Sequence, residues 1–389
     1  MDFHFSPEEE AFRQEVRDFI RTEAPEGWRD GLGNDPARIW QFEREWQRKL
    51  AARRWLALAW PKELGGYGAT YMEQLIFNEE MGRNRAPSFV NMGVAWVAPS
   101  IMLYGSYEQK QRYVRRIAEG EDIWCTLYSE PGAGSDLASL QTRAELDGDE
   151  WVINGQKIWT TYAHLSDHGW LAARTDPTAP KHRGISTFVV PMRTPGITVQ
   201  PLVNMADGHE FNEVFFEDVR IPRENLVGEL NRGWYHVAVG FGFERTSIGN
   251  PAGARRAVQD LAEICRRTMV NGRPLAARPE VRMKIADLWT QIEVATVLAY
   301  RVASLQTAGK VPDAEASEIK LFAMELNQRV SNAAVGILGL GGQVRSGPVA
   351  ARGGDFSYMY LRSVANTIEG GTSEIMRNII ATRGLGLPR

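Results

Sequence analysis

At 389 residues the chain exceeds what one simple core holds, and at about 150 residues per domain it predicts two or three domains. Hydrophobic residues make up 43% and charged residues 24%, the balance of a chain that folds throughout. A net charge of -3 offers no global attraction for nucleic acid or an anionic membrane, and Cys125 and Cys265 lie too far apart for a disulfide framework or a zinc site.

The N-terminal stretch MDFHFSPEEEAFRQEVRDF is acidic and amphipathic, and no segment reaches about 18 uninterrupted apolar residues. Neither export nor a membrane span is expected, and a cytoplasmic location is the default. Ser6, Pro7 and Glu9 make a capping box with proline in the first turn, after which Phe12, Val16, Phe19 and Ile20 recur on one helical face up to Pro25. Ile39, Phe42, Trp46 and Leu50 mark a second helix, while Thr70 with Glu73 and Ser106 with Gln109 signal further helix starts. Residues 1–123 are expected to form an α-helical domain.

From Trp124 the texture changes. EWVINGQKIWTT, ISTFVVPM and FNEVFFEDV are rich in β-branched and aromatic residues at strand length, and Asp147-Gly148 signals a hairpin turn. Residues 124–232 are expected to form a β-sheet domain. After Gly233 the helical period returns over roughly 234–270, 279–309, 313–338 and 358–383, with turns carrying GRP, VPD and GLGG, which predicts an antiparallel four-helix bundle over residues 233–389. The fold class is α+β.

Four clusters could carry chemistry. Tyr128-Ser-Glu-Pro-Gly-Ala-Gly-Ser-Asp136 has two glycines that admit close approach of a ligand, with Ser129, Ser135 and free N–H groups as donors; it has neither a P-loop lysine nor a GxGxxG pattern, and a plain glycine-rich turn is the competing reading. Trp159-Thr160-Thr161 places an aromatic plate beside two hydroxyls, which suits a flat heteroaromatic ligand or else a packed strand end. In Glu369-Gly-Gly-Thr-Ser-Glu374 a helix break with an N-cap accounts for the threonine but not for the paired glycines. Glu244 sits beside Phe243 in an apolar stretch that would raise its pKa and make it a better base, while Arg245 pulls the other way; a buried ion pair is the alternative. The histidines show no HExxH motif, so no metal is expected.

In this order, and on this α/β/α background, the clusters resemble the acyl-CoA dehydrogenase family across essentially the whole chain. SEPGAGSD looks like the family's EPGAGSD signature, EWVINGQKIWTT is similar to its flavin-contact strand, and EGGTSEI resembles its C-terminal signature. The resemblance implies FAD as cofactor, with Tyr128 and Ser129 at the pyrimidine edge of the flavin, Ser135 at the pyrophosphate, Trp159 over the ring system and Thr161 near N5. Arg266 and Thr268 look like the pair that grips the ADP half from a neighbouring subunit, and Thr372 and Glu374 occupy positions near that moiety. The family's usual catalytic base position is Gly370 here, which retains only its N–H for the thioester oxygen. A minority arrangement puts the base before an arginine on the first bundle helix. Glu244 fills that place, with Arg245 assigned to the substrate side.

The resemblance therefore implies α,β-desaturation of an acyl-CoA thioester, electrons passing to an electron-transferring flavoprotein, and a homotetramer or at least a dimer. It leaves open an acyl-CoA oxidase, one subunit of a heteromeric enzyme for bulky steroid-type CoA esters, and a flavin-bearing relative without dehydrogenase activity. The mildly acidic composition speaks against a nucleic-acid partner.

Overall fold

The computed structural model describes residues 4–388 apart from 26, 29–31, 33–34, 88–90 and 244–249. The expected start signals operate as side-chain caps. Ser6 Oγ accepts the Glu9 N–H at 3.2 Å while the Glu9 carboxylate accepts the Ser6 N–H at 2.8 Å, opening α1 (Pro7–Glu23). α2 spans Pro36–Ala52. The same reciprocal box at Thr70/Glu73 opens α3 (Tyr71–Arg83). After α4 (Ala98–Tyr104), Ser106/Gln109 starts α5 (Tyr107–Gln109), which runs through a wider π turn into α6 (Arg115–Ala118). Each box satisfies two N–H groups that a helix start leaves without partners.

The strands are β1 (Trp124–Leu127), β2 (Arg143–Asp147), β3 (Glu150–Lys157), β4 (His168–Arg174), β5 (Ile185–Pro191), β6 (Ile197–Leu202), β7 (Phe211–Pro222) and the short β8 (Leu226–Val227). They form one sheet in the order β6-β7-β3-β2-β4-β5-β8, with β1 added in parallel to β4. The β2–β3 hairpin closes one residue later than the Asp-Gly signal suggests: Asp147 pairs with Glu150, and Gly148 (φ +62°) takes the first central position of the turn. β4 and β5 send alternate residues into two different cores. Trp170, Ala172 and Val189 pack with Trp96, Ile101 and Ile117, whereas Leu171, Ala173, Phe188 and Val190 pack with Trp151, Val214 and Ile221. Burial on both faces explains why ISTFVVP shows no exposed alternate positions from Ile185 to Val190, Ser186 and Thr187 included.

The remaining helices are α7 (Gly233–Phe243), α8 (Ala252–Arg267), α9 (Pro279–Thr307), α10 (Asp313–Leu338), α11 (Leu340–Gln343), α12 (Asp355–Asn366) and α13 (Ser373–Ile379). A two-stranded hairpin, β9 (Met269–Val270) and β10 (Arg273–Pro274), follows α8. Asn271 (φ +51°) and Gly272 (φ +75°) supply the two left-handed residues of its turn. Ala257, Leu261, Leu288, Ile292, Ala323, Leu326, Val330 and Phe356 fill the core of the α8–α9–α10–α12 bundle.

The chain separates into two compact units, Pro36–Gly68 with Phe89–Arg245, and Met1–Asp35 with Ala69–Ser88 and Thr246–Arg389. The partition cuts across the linear blocks. α1 and α3 belong to the bundle unit because buried charges fasten them there: Arg13 donates to Glu79 and Glu80 at 2.9 and 3.0 Å, Arg17 donates to Glu80, and Tyr300 of α9 donates to Glu79 at 2.9 Å. Asp260 on α8 gathers Arg85, Arg256 and Arg352 in the same unit.

α7 packs within the sheet unit. Val237 lies in the sheet-side core, the His236 carbonyl accepts the Ser100 hydroxyl, and His236 Nδ1 meets Thr187 Oγ1 at 2.9 Å. Burial, and after it the charge of Arg232, pushes the His236 imidazole down to about 4. In the unfolded chain it titrates near 6.5. Between those values only the unfolded state binds the proton, so stability falls as pH drops from 6.5 towards 4, by about 2 kcal/mol at pH near 5. Melting temperatures compared at neutral and mildly acid pH check this, and His236→Gln is expected to flatten the difference.

Candidate functional site

In the sheet unit, the glycine-rich segment leaves the end of β1. Glu130 and Ala133 exchange N–H···O bonds of 3.0 Å, closing a tight turn over Pro131 and Gly132. The Glu130 carboxylate turns inward and accepts the N–H groups of Gln141 and Thr142 at 2.6 and 2.8 Å and Lys157 Nζ at 2.8 Å. Lys157, fully buried on β3, also donates to the Tyr128 carbonyl at 3.0 Å. The inner end of the loop is thus pinned, with Tyr128 buried, Ser129 half-buried and Ser135 exposed at the outer end. Gly132 and Gly134 keep ordinary negative φ, and a Cβ on either would meet nothing within 4 Å. The fold itself does not demand glycine there.

Trp159 follows β3 with φ +59° and 56% of its surface exposed. A large apolar side chain held both in a strained conformation and in water points to a contact outside the chain's own fold. Among the described residues its ring contact is an edge-on approach to Phe211 at 6.0 Å. Thr160 is buried, and its Oγ1 has no partner among the described residues. Asn212 holds this backbone: its carbonyl accepts the Thr160 N–H and its Nδ2 donates to the Thr160 carbonyl, both at 3.0 Å. Asn212 Oδ1 is braced in turn by His164 and His209, whose rings stack at 4.1 Å. Thr161 leaves this fixed point half-exposed.

In the bundle unit, Arg266 lies in the last turn of α8, exposed and without an acidic partner among the described residues. The Thr268 N–H closes the same turn on the Ile264 carbonyl at 2.8 Å. Further on, α12 ends at Asn366, and Gly370 and Gly371 follow with φ +62° and +96°. Thr372 caps α13 through the Ile375 N–H, and the Glu374 carboxyl is held below the usual range by its own backbone N–H and by Thr372. Thr372, Ser373 and Glu374, with Gln328, Arg329 and Asn332 of α10, line an open cleft of about 400 Å³. Ser373 Oγ is buried there with no partner among the described residues. The Glu369 carboxylate is engaged by its neighbours: Arg362 donates to it at 3.0 and 3.3 Å and Asn366 at 2.7 Å. Glu244 and Arg245 lie outside the described residues.

Three family models, for the N-terminal, middle and C-terminal domains of acyl-CoA dehydrogenases, match residues 6–121, 125–219 and 231–385. The chain belongs to the acyl-CoA dehydrogenase family. It is 36% identical to the acyl-CoA dehydrogenase IpdE1 of Mycobacterium tuberculosis, over 98% of both chains. Its fold matches the crystal structure of the ChsE4-ChsE5 complex from Mycobacterium tuberculosis with a TM-score of 0.91 and 36% identity, over all of both chains. It also matches the Tcur3481-Tcur3483 steroid ACAD with a TM-score of 0.90 and 33% identity, again over all of both chains. The protein is accordingly an oxidoreductase of a FAD-dependent family that degrades fatty acids and lipids.

The residues present fit such a cofactor. An acyl-CoA dehydrogenase needs a surface for a flat ring system and a track for a diphosphate, and in the sheet unit the exposed Trp159, the open glycines 132 and 134 and the Thr160 hydroxyl, which has no partner among the described residues, are groups that the unit's own packing leaves unexplained. Glu130, Lys157 and Asn212 escaped the sequence reading as site residues. For Lys157 a signal existed: it falls in phase with the inward-facing Trp151 and Ile153 of β3, where a lysine is out of place unless paired. Among the described residues no helix is long and apolar enough to cross a membrane, and no group of three or more His, Cys, Asp or Glu side chains could hold a metal ion.

Proposed function

We propose that this acyl-CoA dehydrogenase desaturates an acyl-CoA thioester between Cα and Cβ with Glu244 as the α-proton base. The observation that carries the reading is the engagement of Glu369 by Arg362 and Asn366, next to a glycine at the position where most of the family has its base. A carboxylate must come from elsewhere, and Glu244 before Arg245 is the position the family's minority arrangement uses. When bound, FAD supplies the acceptor for the hydride that leaves Cβ and a ribityl hydroxyl near the thioester. Tyr128, Ser129, Ser135, Trp159 and Thr161 would hold it from the sheet unit; Thr372, Glu374, Arg266 and Thr268 would hold its ADP half. Glu244 removes the proton from Cα, and the Gly370 N–H donates to the thioester oxygen as negative charge gathers there. That N–H has no acceptor among the described residues. Electrons then pass to an electron-transferring flavoprotein.

Anaerobic bleaching of the yellow protein tests this reading, using butanoyl-, octanoyl-, 3-methylbutanoyl-, phenylpropanoyl- and steroid-carboxyl-CoA esters. Reduction by at least one ester, with little oxygen consumption in air, is expected. No reduction by any of them sinks the reading, and rapid oxygen uptake makes the protein an oxidase.

Arg266 would act across a subunit interface, which implies a homotetramer or dimer. Arg266→Ala is expected to weaken FAD retention about 10- to 100-fold without lowering the melting temperature, as for loss of one charge-assisted contact at an exposed site. Equilibrium dialysis of flavin checks it, and unchanged affinity means that this arginine faces something else. A second reading, one subunit of a heteromeric enzyme for bulky esters, is favoured by the fold likeness to the ChsE4-ChsE5 complex and the Tcur3481-Tcur3483 steroid ACAD. A chain that holds stoichiometric FAD when purified alone speaks for the homomer.

A further inference from the structure

We propose that Lys320 is a positioning residue for the Gly370 N–H, fixing and polarising the peptide that carries it. This rests on the assignment of that N–H to the thioester oxygen. Lys320 stands on the packed face of α10, between Ile319 and Ala323, and is 4% exposed. Its ammonium donates to the carbonyls of Glu369 at 2.9 Å, of Asn366 at 3.4 Å and of Gly371. A lysine buried in a helical bundle and spent on three carbonyls of one turn is there for the turn.

The Glu369 carbonyl belongs to the same peptide unit as the Gly370 N–H. The chain has no cis peptide among its described residues, so the C=O and N–H bonds point in opposite directions across one rigid plane and their dipoles add. An ammonium on the oxygen therefore does two things at the nitrogen. It fixes the direction of the N–H away from α10, and it draws electron density toward the oxygen, making the N–H a stronger donor. The contact to Gly371 clamps the next peptide, so that two consecutive glycines, otherwise the loosest residues in a chain, are held in one conformation. Gln328, two turns along α10, reinforces the arrangement by donating to the Ser363 carbonyl and to Thr367 Oγ1 at 3.2 and 3.1 Å. Thiol esters lose carbonyl character as the α-proton leaves, so a preoriented, polarised donor acts most strongly in the transition state.

The test uses Lys320→Met and Lys320→Gln in the full-length FAD-bound protein. The probe is the panel ester that reduces the wild-type flavin fastest, carrying 13C at its thioester carbon. Lys320→Met is expected to slow flavin reduction about 10-fold or more, with ester affinity changed less than about threefold and with flavin content retained. Amide exchange over 367–372 is expected to accelerate, and Lys320→Gln, which keeps a donor without the charge, to fall between. In a Glu244→Gln background, where the bound ester persists, the infrared carbonyl band is expected to move back toward its position in water when Lys320 is replaced. A shifted band and a reduction rate that are both indifferent to Lys320 overturn the proposal. So does a rate loss that only tracks flavin loss or unfolding. A band unshifted even with Lys320 present refutes instead the assignment of the Gly370 N–H to the thioester.

Discussion

Glu244→Gln is expected to give a yellow protein that still binds acyl-CoA but reduces its flavin about 10²- to 10⁴-fold more slowly, the usual range for loss of a general base. Glutamine keeps the shape and removes the proton acceptor, so ester affinity should scarcely move. The control is Glu369→Gln, one residue from the usual base position. Adjacent residues point in different directions, and the Glu369 carboxylate is already held by Arg362 and Asn366. Its loss should cost the end of α12 some order and cost the chemical step little. Stopped-flow anaerobic reduction of the two variants decides the matter. An inert Glu369→Gln beside a normal Glu244→Gln reverses the assignment and leaves Glu244 in a structural pair with Arg245.

The second large effect is expected at Lys157. Lys157→Met leaves the Glu130 carboxylate buried with only the Gln141 and Thr142 N–H groups for company. Breaking one side of a buried ion pair costs about 3–5 kcal/mol. Burial presses the Lys157 ammonium down to about 8 against the pull of Glu130. Burial also acts to raise the Glu130 carboxyl, but Lys157, Thr142 and Gln141 outweigh it and the net direction is down. The pair is thus ionised at neutral pH. A carboxyl lowered on folding contributes stability that is complete above its unfolded value of 4.5 and is lost as pH falls through the folded value, so acid and Lys157→Met should release flavin by the same route. Thermal melts and flavin content measure it. The double variant Lys157→Met/Glu130→Gln should recover part of the loss, because the unpaired charge is gone; no recovery would mean that Lys157 acts through the Tyr128 carbonyl alone.

What the sequence made legible was what neighbouring residues decide. All three capping boxes are contacts over three residues, and β5 and β7 announce themselves by composition. The glycine-rich segments and Trp159 could be named in advance because their order along the chain resembles a known family; taken alone, each also read as a turn or a strand end. The supports could not. Glu130 finds Lys157 27 residues away, Asn212 reaches Thr160 across 52, and Lys320 reaches the 366–371 turn across 46 to 51. No local pattern encodes such partners; the only trace is a charged residue on a face otherwise apolar. A helical period likewise says that a helix such as α7 has a buried side but not what buries it.

The backbone at Gly370 bears on how such enzymes can change by descent. A side chain there would find open space, with nothing within 4 Å of a Cβ, so the room for a carboxylate exists. Its φ of +62° is what stands in the way, because an L-residue in that region costs about 1–2 kcal/mol. A lineage moving its base from position 244 to position 370 by one substitution would meet that penalty before gaining anything, and would carry two competing bases meanwhile. A carboxylate at position 370 of this chain is therefore expected to come with a change in this turn.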